Sequence, residues 1–236
     1  MTDPAAQWTR RPIAALDTET TGTDPATSRC VEVALLLVDP DGAEAAGSYQ
    51  TLVDCGLEIP PGAEAVHGIT RERAAAEGVP SRDCLREVVT RLQGLADAGT
   101  PVVVFNARFD WPLLDAEARR AGLRLPQVAL IDPMVIDRRV DRYRKGKRRL
   151  VDVAAHYGVA LEDAHRARGD ALASARILQE VARRHPAEVA ALEPGELHEL
   201  QVGWFEEWRD GLNGWLRGKG ERELITGAWP GIPAAS

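Results

Sequence analysis

The feature that most constrains the fold is a change in hydrophobic period near residue 80 of this 236-residue chain. Residues 30–38 read CVEVALLLV, an apolar run typical of a buried strand. Asp41-Gly42 then predicts a hairpin turn, with a returning strand over 48–53. Together with a short apolar strand at 13–16, these segments predict an antiparallel meander in the N-terminal part of the chain.

Beyond residue 80 the apolar side chains recur at helical spacing, between short apolar strands. The pattern predicts helices over 81–98, 111–122, 133–140, 150–157 and 169–184, and strands over 101–105 and 128–131. Three antiparallel strands followed by alternating strands and helices predict a mixed α/β sheet flanked by helices. Pro112 fits this assignment only in the first turn of its helix, because proline has no backbone N–H to donate.

Composition excludes some classes of protein. A net charge of −7 and a pI of about 5.3 argue against a protein that coats nucleic acid nonspecifically, although acids that bind metal ions are compatible with it. No apolar run reaches the roughly 18 residues of a membrane span, and the N-terminus lacks a secretory pattern. Cys30, Cys55 and Cys84 match neither a disulfide framework nor a zinc motif. We therefore expect a soluble, cytoplasmic protein.

Four carboxylates and one histidine lie at the ends of these elements. Asp17 and Glu19 follow the first strand at positions i and i+2, which share one face of an extended chain. Asp110 follows the fourth strand, and His165 and Asp170 lie at the start of the helix over 169–184. Carboxylate oxygens are the ligands that Mg²⁺ and Mn²⁺ prefer, and histidine exchanges protons near neutral pH. The set predicts a divalent metal site with one proton acceptor beside it.

Each of these residues also has a plainer interpretation when it is taken alone. Acids that border strands are often surface groups, and an acid in the first turn of a helix complements the helix dipole. A histidine in a loop often has no functional role. The joint occurrence of all five in this order favours the metal site.

The same residues resemble the three motifs of the DEDDh family of 3′–5′ exonucleases. LDTETTG at 16–22, Asn106 with Phe109 and Asp110, and HRARGDALAS at 165–174 resemble the first, second and third motifs. AVHGIT, which follows Glu64, resembles the family's His-Gly-Ile-Thr segment. The similarity covers about residues 11–185. It implies an RNase H-like fold, with a mixed five-stranded sheet whose first three strands are antiparallel.

The resemblance implies hydrolysis at the 3′ end of a nucleic acid, with release of nucleoside 5′-monophosphates. Asp17, Glu19, Asp110 and Asp170 would hold two divalent ions, Mg²⁺ in the cell with Mn²⁺ also supporting activity. His165 would deprotonate the attacking water.

The family also implies residues that border the terminal nucleotide, namely Thr20, His67 and Phe109. We expect single-stranded DNA with a free 3′ end to be the substrate. An exoribonuclease that trims RNA ends stays open, because discrimination depends on what meets the 2′-hydroxyl. From a different class, a polymerase-tethering module that binds nucleic acid stays open as well.

Three parts of the chain differ in character. We assign residues 1–10 to an N-terminal tail, residues 11–185 to the exonuclease domain, and residues 186–236 to a C-terminal helical extension. Within the domain, residues 138–149 read RRVDRYRKGKRR. This basic segment is interpreted either as a contact to substrate phosphates or as a solvated loop that like-charge repulsion keeps mobile.

The extension contains an amphipathic pattern over 196–216, with Trp204, Trp208 and Trp215 on one stripe. We interpret the stripe as packing against the main domain or against a second copy of the chain in a homodimer. Stacking on nucleic-acid bases is the alternative. Residues 201–205, QVGWF, distantly resemble the peptide by which polymerase-associated proteins bind the sliding clamp.

Overall fold

The structure is a computed structural model that describes residues 8–163 and 165–231. Over these residues six strands are formed: β1 (Ile13–Thr20), β2 (Cys30–Val38), β3 (Tyr49–Asp54), β4 (Val79–Pro80), β5 (Val102–Val103) and β6 (Leu130–Ile131). The helices are α1 (Pro61–His67), α2 (Arg71–Glu77), α3 (Ser81–Asp97), α4 (Ala107–Arg120), α5 (Pro133–Val140), α6 (Leu150–Tyr157), α7 (Ala167–Arg184) and α8 (Pro194–Gly218).

The strands form one mixed sheet in the order β4-β3-β2-β1-β5-β6. β1 and β2 pair antiparallel, as do β2 and β3, while β5 runs parallel to β1 and β6 runs parallel to β5. The predicted meander and the mixed sheet are therefore confirmed. The expected number of five strands is wrong, because the two residues of β4 add a parallel edge to β3. Such a short segment shows no alternation in sequence, and its proline is tolerated at a sheet edge.

Two element boundaries differ from the prediction in ways that affect the acids. β1 continues four residues past Leu16, since Asp17 and Glu19 pair with Ala34 and Glu32 of β2. α4 begins at Ala107, so Pro112 lies inside the helix rather than in its first turn. Asp17 and Glu19 are thus held within a strand, and Asp110 is held within a helix.

The two faces of β1 enter different hydrophobic cores. Ile13 and Ala15 pack in the core that contains the inner face of α7, whereas Ala14 and Leu16 pack in the core beneath α3 and α4. Side chains alternate along a strand, so Asp17 continues the face that looks toward α7. The sheet therefore aims the first acids at the helix that carries Asp170.

Helix α8, in the predicted C-terminal extension, packs against β6 and α5. Leu197 and Phe205 of α8 are buried, Trp204 and Trp208 are partly buried against the cores, and Trp215 is 59% exposed. The interpretation of the stripe as packing on the main domain is borne out for its first two tryptophans. The homodimer stays a prediction.

The sliding-clamp interpretation of residues 201–205 is wrong in this fold. Gln201 is fully buried and its side-chain amide donates to the carbonyl oxygen of Leu130, while Phe205 is buried in the core. A peptide whose glutamine and aromatic ring are both packed inside its own domain presents neither to a partner.

Among the described residues, no helix is both long and apolar enough to cross a membrane.

Candidate metal centre

Three of the predicted ligands converge at one point. Asp17 and Glu19 project from β1 and Asp170 from the first turn of α7, and one carboxylate oxygen of each lies within 4.8 Å of the others. All three side chains are half-buried. Converging carboxylate oxygens at this separation are the donor set of a hard divalent cation.

The electrostatics of the cluster favour a bound cation. Burial raises the pKa of Asp17 well above its usual value, and repulsion from Asp110, Asp170 and Glu19 adds to that shift. Burial, followed by repulsion from Asp170, raises the pKa of Glu19 to about 8. One oxygen of Asp170, Oδ1, is buried and has no hydrogen-bond partner among residues 8–163 and 165–231. A divalent ion would satisfy this oxygen and remove the repulsion, so the residues present fit the metal.

Asp110 lies beside this group rather than within it. Its Oδ1 accepts hydrogen bonds from the backbone N–H of Thr18 at 3.1 Å and from the Thr18 hydroxyl at 2.6 Å. Burial raises the pKa of Asp110 to about 7, and the Thr18 hydrogen bonds act in the opposite direction. The fourth predicted ligand is therefore adjacent to the metal position, on the side of β1 that faces α4.

A buried acid that sequence reasoning missed fixes the start of α4. Asp132 accepts hydrogen bonds from the backbone N–H groups of Asn106 and Ala107, both at 3.0 Å, and from the Trp229 indole at 3.2 Å. Asn106 has a left-handed φ of 60°, which turns the chain sharply from β5 into the helix that carries Asp110. A signal existed, because an aspartate immediately before the Pro133 helix is a typical N-cap.

A second missed acid ties α7 to the sheet. Glu32 of β2 is buried, and its carboxylate accepts hydrogen bonds from the Arg166 guanidinium at 2.8 and 3.1 Å and from the Ala167 backbone at 3.2 Å. Although burial acts to raise it, hydrogen bonds from Arg166 and Gln50 hold the pKa of Glu32 below its usual value. This contact places the first turn of α7, and with it Asp170, against β2.

His165 lies on the solvent side of the acids. It is exposed, has a φ of 62°, and belongs to the loop that precedes α7. Burial raises the pKa of Asp170, and electrostatic attraction by His165 together with a hydrogen bond from its backbone acts in the opposite direction. The backbone of this loop lies very close to Gly169. A Cβ atom at that position would lie 2.1 Å from the Glu162 carbonyl oxygen. Glycine at this position lets the histidine loop lie against the helix that carries Asp170.

The residues expected to border the terminal nucleotide lie around the end of β1 and the start of α4. His67 is buried, and its Nδ1 accepts a hydrogen bond from the Ile69 backbone at 3.1 Å, which leaves the ring proton on Nε2. Burial lowers the pKa of His67, and the Thr20 backbone acts in the opposite direction. Phe109 is half-buried and directly precedes Asp110. Their contacts with a nucleotide stay a prediction.

The basic segment is anchored rather than left free. Arg144 and Arg148 both form ion pairs with Asp137, which is fully buried and also accepts a hydrogen bond from the Tyr157 hydroxyl at 3.0 Å. The repulsion on which the expectation of a mobile loop rested is therefore partly compensated by a buried acid. The compensating acid lies outside the predicted loop, on the inner face of α5.

The chain resembles known exonucleases in sequence. The profile of the RNase T family, described as exonuclease, matches residues 14–178. The chain is 31% identical over 144 residues to a Mycobacterium tuberculosis protein described as a bifunctional exonuclease/endonuclease, covering 61% of this chain and 21% of that protein. It is 28% identical over 158 residues to the DNA polymerase III subunit epsilon of Treponema pallidum, covering 66% of this chain and 70% of the subunit.

The fold resembles that of E. coli exonuclease I. The structure of that enzyme with a dT13 oligonucleotide matches with a TM-score of 0.65 and 20% sequence identity, covering 75% of this chain and 42% of exonuclease I. At this identity the likeness concerns the fold, and it confirms the expected RNase H-like architecture. The chain spans about a fifth of the mycobacterial protein and less than half of exonuclease I.

Proposed function

The chain belongs to the RNase T family of exonucleases, and from that premise we propose that it removes nucleotides from the 3′ end of single-stranded DNA. The observation that carries the proposal is the convergence of Asp17, Glu19 and Asp170, with one buried oxygen lacking a partner among the described residues. The family implies divalent metal ions, and we propose two Mg²⁺ per site.

Each predicted residue has a role in the proposed reaction. Asp17, Glu19 and Asp170 hold the metal ions, and Asp110 supplies a further carboxylate from α4. Bound divalent ions stabilise charge on the attacking and leaving oxygens of such a displacement. His165, on the solvent side of Asp170, takes the proton of the attacking water as the new P–O bond forms. The bond from phosphorus to the 3′-oxygen of the preceding nucleotide breaks, and a nucleoside 5′-monophosphate leaves.

Two similar proteins lead us to favour single-stranded DNA over RNA as the substrate. The E. coli enzyme that shares this fold was captured with a dT13 oligonucleotide, and a sequence relative is a DNA polymerase subunit. We further propose that Thr20, His67 and Phe109 border the terminal nucleotide, because they surround the end of β1 and the start of α4.

A strand-shortening assay tests the proposal. Single-stranded DNA and RNA of the same sequence, labelled at the 5′ end, are incubated with the protein and Mg²⁺, Mn²⁺ or EDTA. We expect a ladder of products shortened from the 3′ end of the DNA, lost in EDTA and in Asp17→Asn. Asp97→Asn removes one exposed carboxylate at the end of α3 and should retain full activity. Internal cuts would contradict the proposal. Faster shortening of RNA than of DNA would show that RNA is the preferred substrate.

A further inference from the structure

A cleft of about 950 Å³ leads away from the metal position. Asp17 and Asp170 lie at one end, and the basic segment 138–149 and one face of α8 form its sides. Its lining includes seven arginines and lysines but only three carboxylates, and two of these carboxylates are the metal-site residues Asp17 and Asp170. A cleft lined by one sign of charge concentrates a ligand of the opposite sign.

Arg138 is the most informative of these cations. Its guanidinium stacks on the Trp208 ring at 3.7 Å, and burial lowers its pKa to about 10. Within residues 8–163 and 165–231 it forms no ion pair with a carboxylate. A guanidinium stacked by its face keeps the N–H donors at its edge, and these donors match the oxygens of a phosphate.

The outer part of the segment presents further groups to solvent. Asp137 binds Arg144 and Arg148, which fixes the backbone of the segment. Lys147 lines the cleft, and Lys145 lies in sequence between the lining residues Arg144 and Gly146. Both lysines are exposed, and neither forms an ion pair with any part of the chain that the structure describes. The anchored arginines thus leave two flanking cations available to an anionic ligand.

An exposed aromatic ring lies among these cations. Tyr143 is 88% exposed, far more than packing of an apolar ring would allow. Glu207, the one carboxylate on the α8 side, is half-exposed and pairs with Arg139 and Arg142 at 3.0 and 2.9 Å. Exposed pairs of this kind contribute little stability, so a phosphate can displace Glu207 from either arginine at small cost.

We infer that this cleft binds the single strand on the 5′ side of the scissile bond, with Arg138 and Lys147 of its lining and the adjacent Lys145 on its phosphates, and with Tyr143 stacked on a base. The inference rests on the proposed function and extends it to the length of strand that the chain holds. It also gives α8 a part in the substrate site, because Trp208 holds Arg138 in place. An unpaired strand suits the cleft better than a duplex, since stacking on a ring needs exposed bases.

Binding without hydrolysis tests the cleft directly. Fluorescence anisotropy in EDTA is measured over a salt series with labelled single-stranded DNA of about 16 nucleotides, the upper end of the site sizes known for single-strand-binding OB folds. The double variant Lys145→Gln/Lys147→Gln should bind more weakly, with a slope of log K against log salt that is shallower by about 1.4. Tyr143→Ala should weaken binding roughly fivefold to a hundredfold. Both variants change exposed residues, so the fold should persist.

The matched control is Arg119→Gln/Arg183→Gln, which removes two exposed cations from α4 and α7, outside the cleft. We expect its affinity and salt slope to equal those of the wild type. If the cleft variants match this control, or if an acidic peptide binds as tightly as DNA of equal charge, the inference is overturned.

Turnover separates failure of the cleft from failure of the proposed function. For the Lys145→Gln/Lys147→Gln variant, the KM of the long strand should rise more than the KM of a dinucleotide, which engages only the acid end. Equal effects on both substrates would contradict the cleft while leaving the exonuclease intact. No nucleotide release by the wild type from any strand would instead contradict the proposed function.

Discussion

The acid end and the basic end of the same cleft are built by different means. Asp17, Glu19 and Asp170 are fixed by regular elements, a central strand and the first turn of a long helix. The basic segment is fixed by side chains, through two arginines on the buried Asp137 and a cation stacked on Trp208. The residues proposed for catalysis, which need a fixed geometry, are positioned by regular secondary structure. The residues proposed for nonspecific binding of the nucleic acid are positioned by side-chain contacts.

The largest difference between the two ends should appear with His165→Ala. Removing a positioned base lowers kcat by roughly 10²–10⁴-fold, and because the side chain is exposed, thermal stability should hardly change. His185→Ala, at the opposite end of α7, is the control and should behave as wild type. An equal loss of kcat in both variants would show that histidine at 165 has no specific role.

Asp137→Asn should be the most destabilising change at the basic end. It leaves two arginines without their buried partner, and breaking a buried pair costs about 3–5 kcal/mol of unfolding free energy. The control Asp152→Asn weakens an exposed pair with Arg149 and should shift the unfolding midpoint far less. Urea unfolding measures both, and similar midpoints would mean that Asp137 does not organise the segment.

The acid end predicts a dependence of stability on pH in the absence of metal. Burial raises the pKa of Glu19 from an ordinary 4.5 to about 8 and that of Asp17 well above 3.8. Across this window the unfolded chain loses protons that the folded chain retains, so the free energy of unfolding falls as pH rises. Mg²⁺ should therefore raise the Tm more at about pH 8 than at about pH 5. Thermal unfolding with and without Mg²⁺ checks this, and equal shifts would contradict it.

The smallest effect is expected where the chain after α8 meets the start of α4. Trp229→Phe removes one hydrogen bond to Asp132, whose carboxylate still accepts hydrogen bonds from the backbone of Asn106 and Ala107. The change should lower the free energy of unfolding by about 1–2 kcal/mol. The exposed Trp215→Phe is the control and should be neutral. A stability loss in the control alone would place the energetic contact of the extension elsewhere.

The sequence predicted the secondary-structure elements whose ends are marked by short-range patterns. The bounds of β2, α5 and α6 agree with the predicted 30–38, 133–140 and 150–157, because an apolar run or a flanking proline and glycine marks each one. The acids could be grouped because each lies at or near the end of a predicted element, although the structure places Asp17 and Glu19 inside β1 and Asp110 inside α4. The start of α4 was missed because Asp132, distant in sequence, holds it.

The ion pairs of the basic segment were missed for a different reason, because the burial of Asp137 depends on the packing of α5. Apart from Asp141 the segment carries only positive charges, and the acid that pairs with Arg144 and Arg148 lies just before it, buried on α5. Likewise, nothing local indicates that Trp208 of α8 stacks on Arg138 some seventy residues earlier. Long-range side-chain pairs are formed by the fold and leave no periodic signal.

A titration with Mn²⁺ tests the central claim most directly, that the converging acids form a metal site. Isothermal calorimetry on the wild type, beside Asp17→Asn and the surface control Asp97→Asn, measures the number of ions and their affinity. We predict two ions per chain for the wild type and for the control, with at least one site lost in Asp17→Asn. Equal binding by all three proteins would contradict the account.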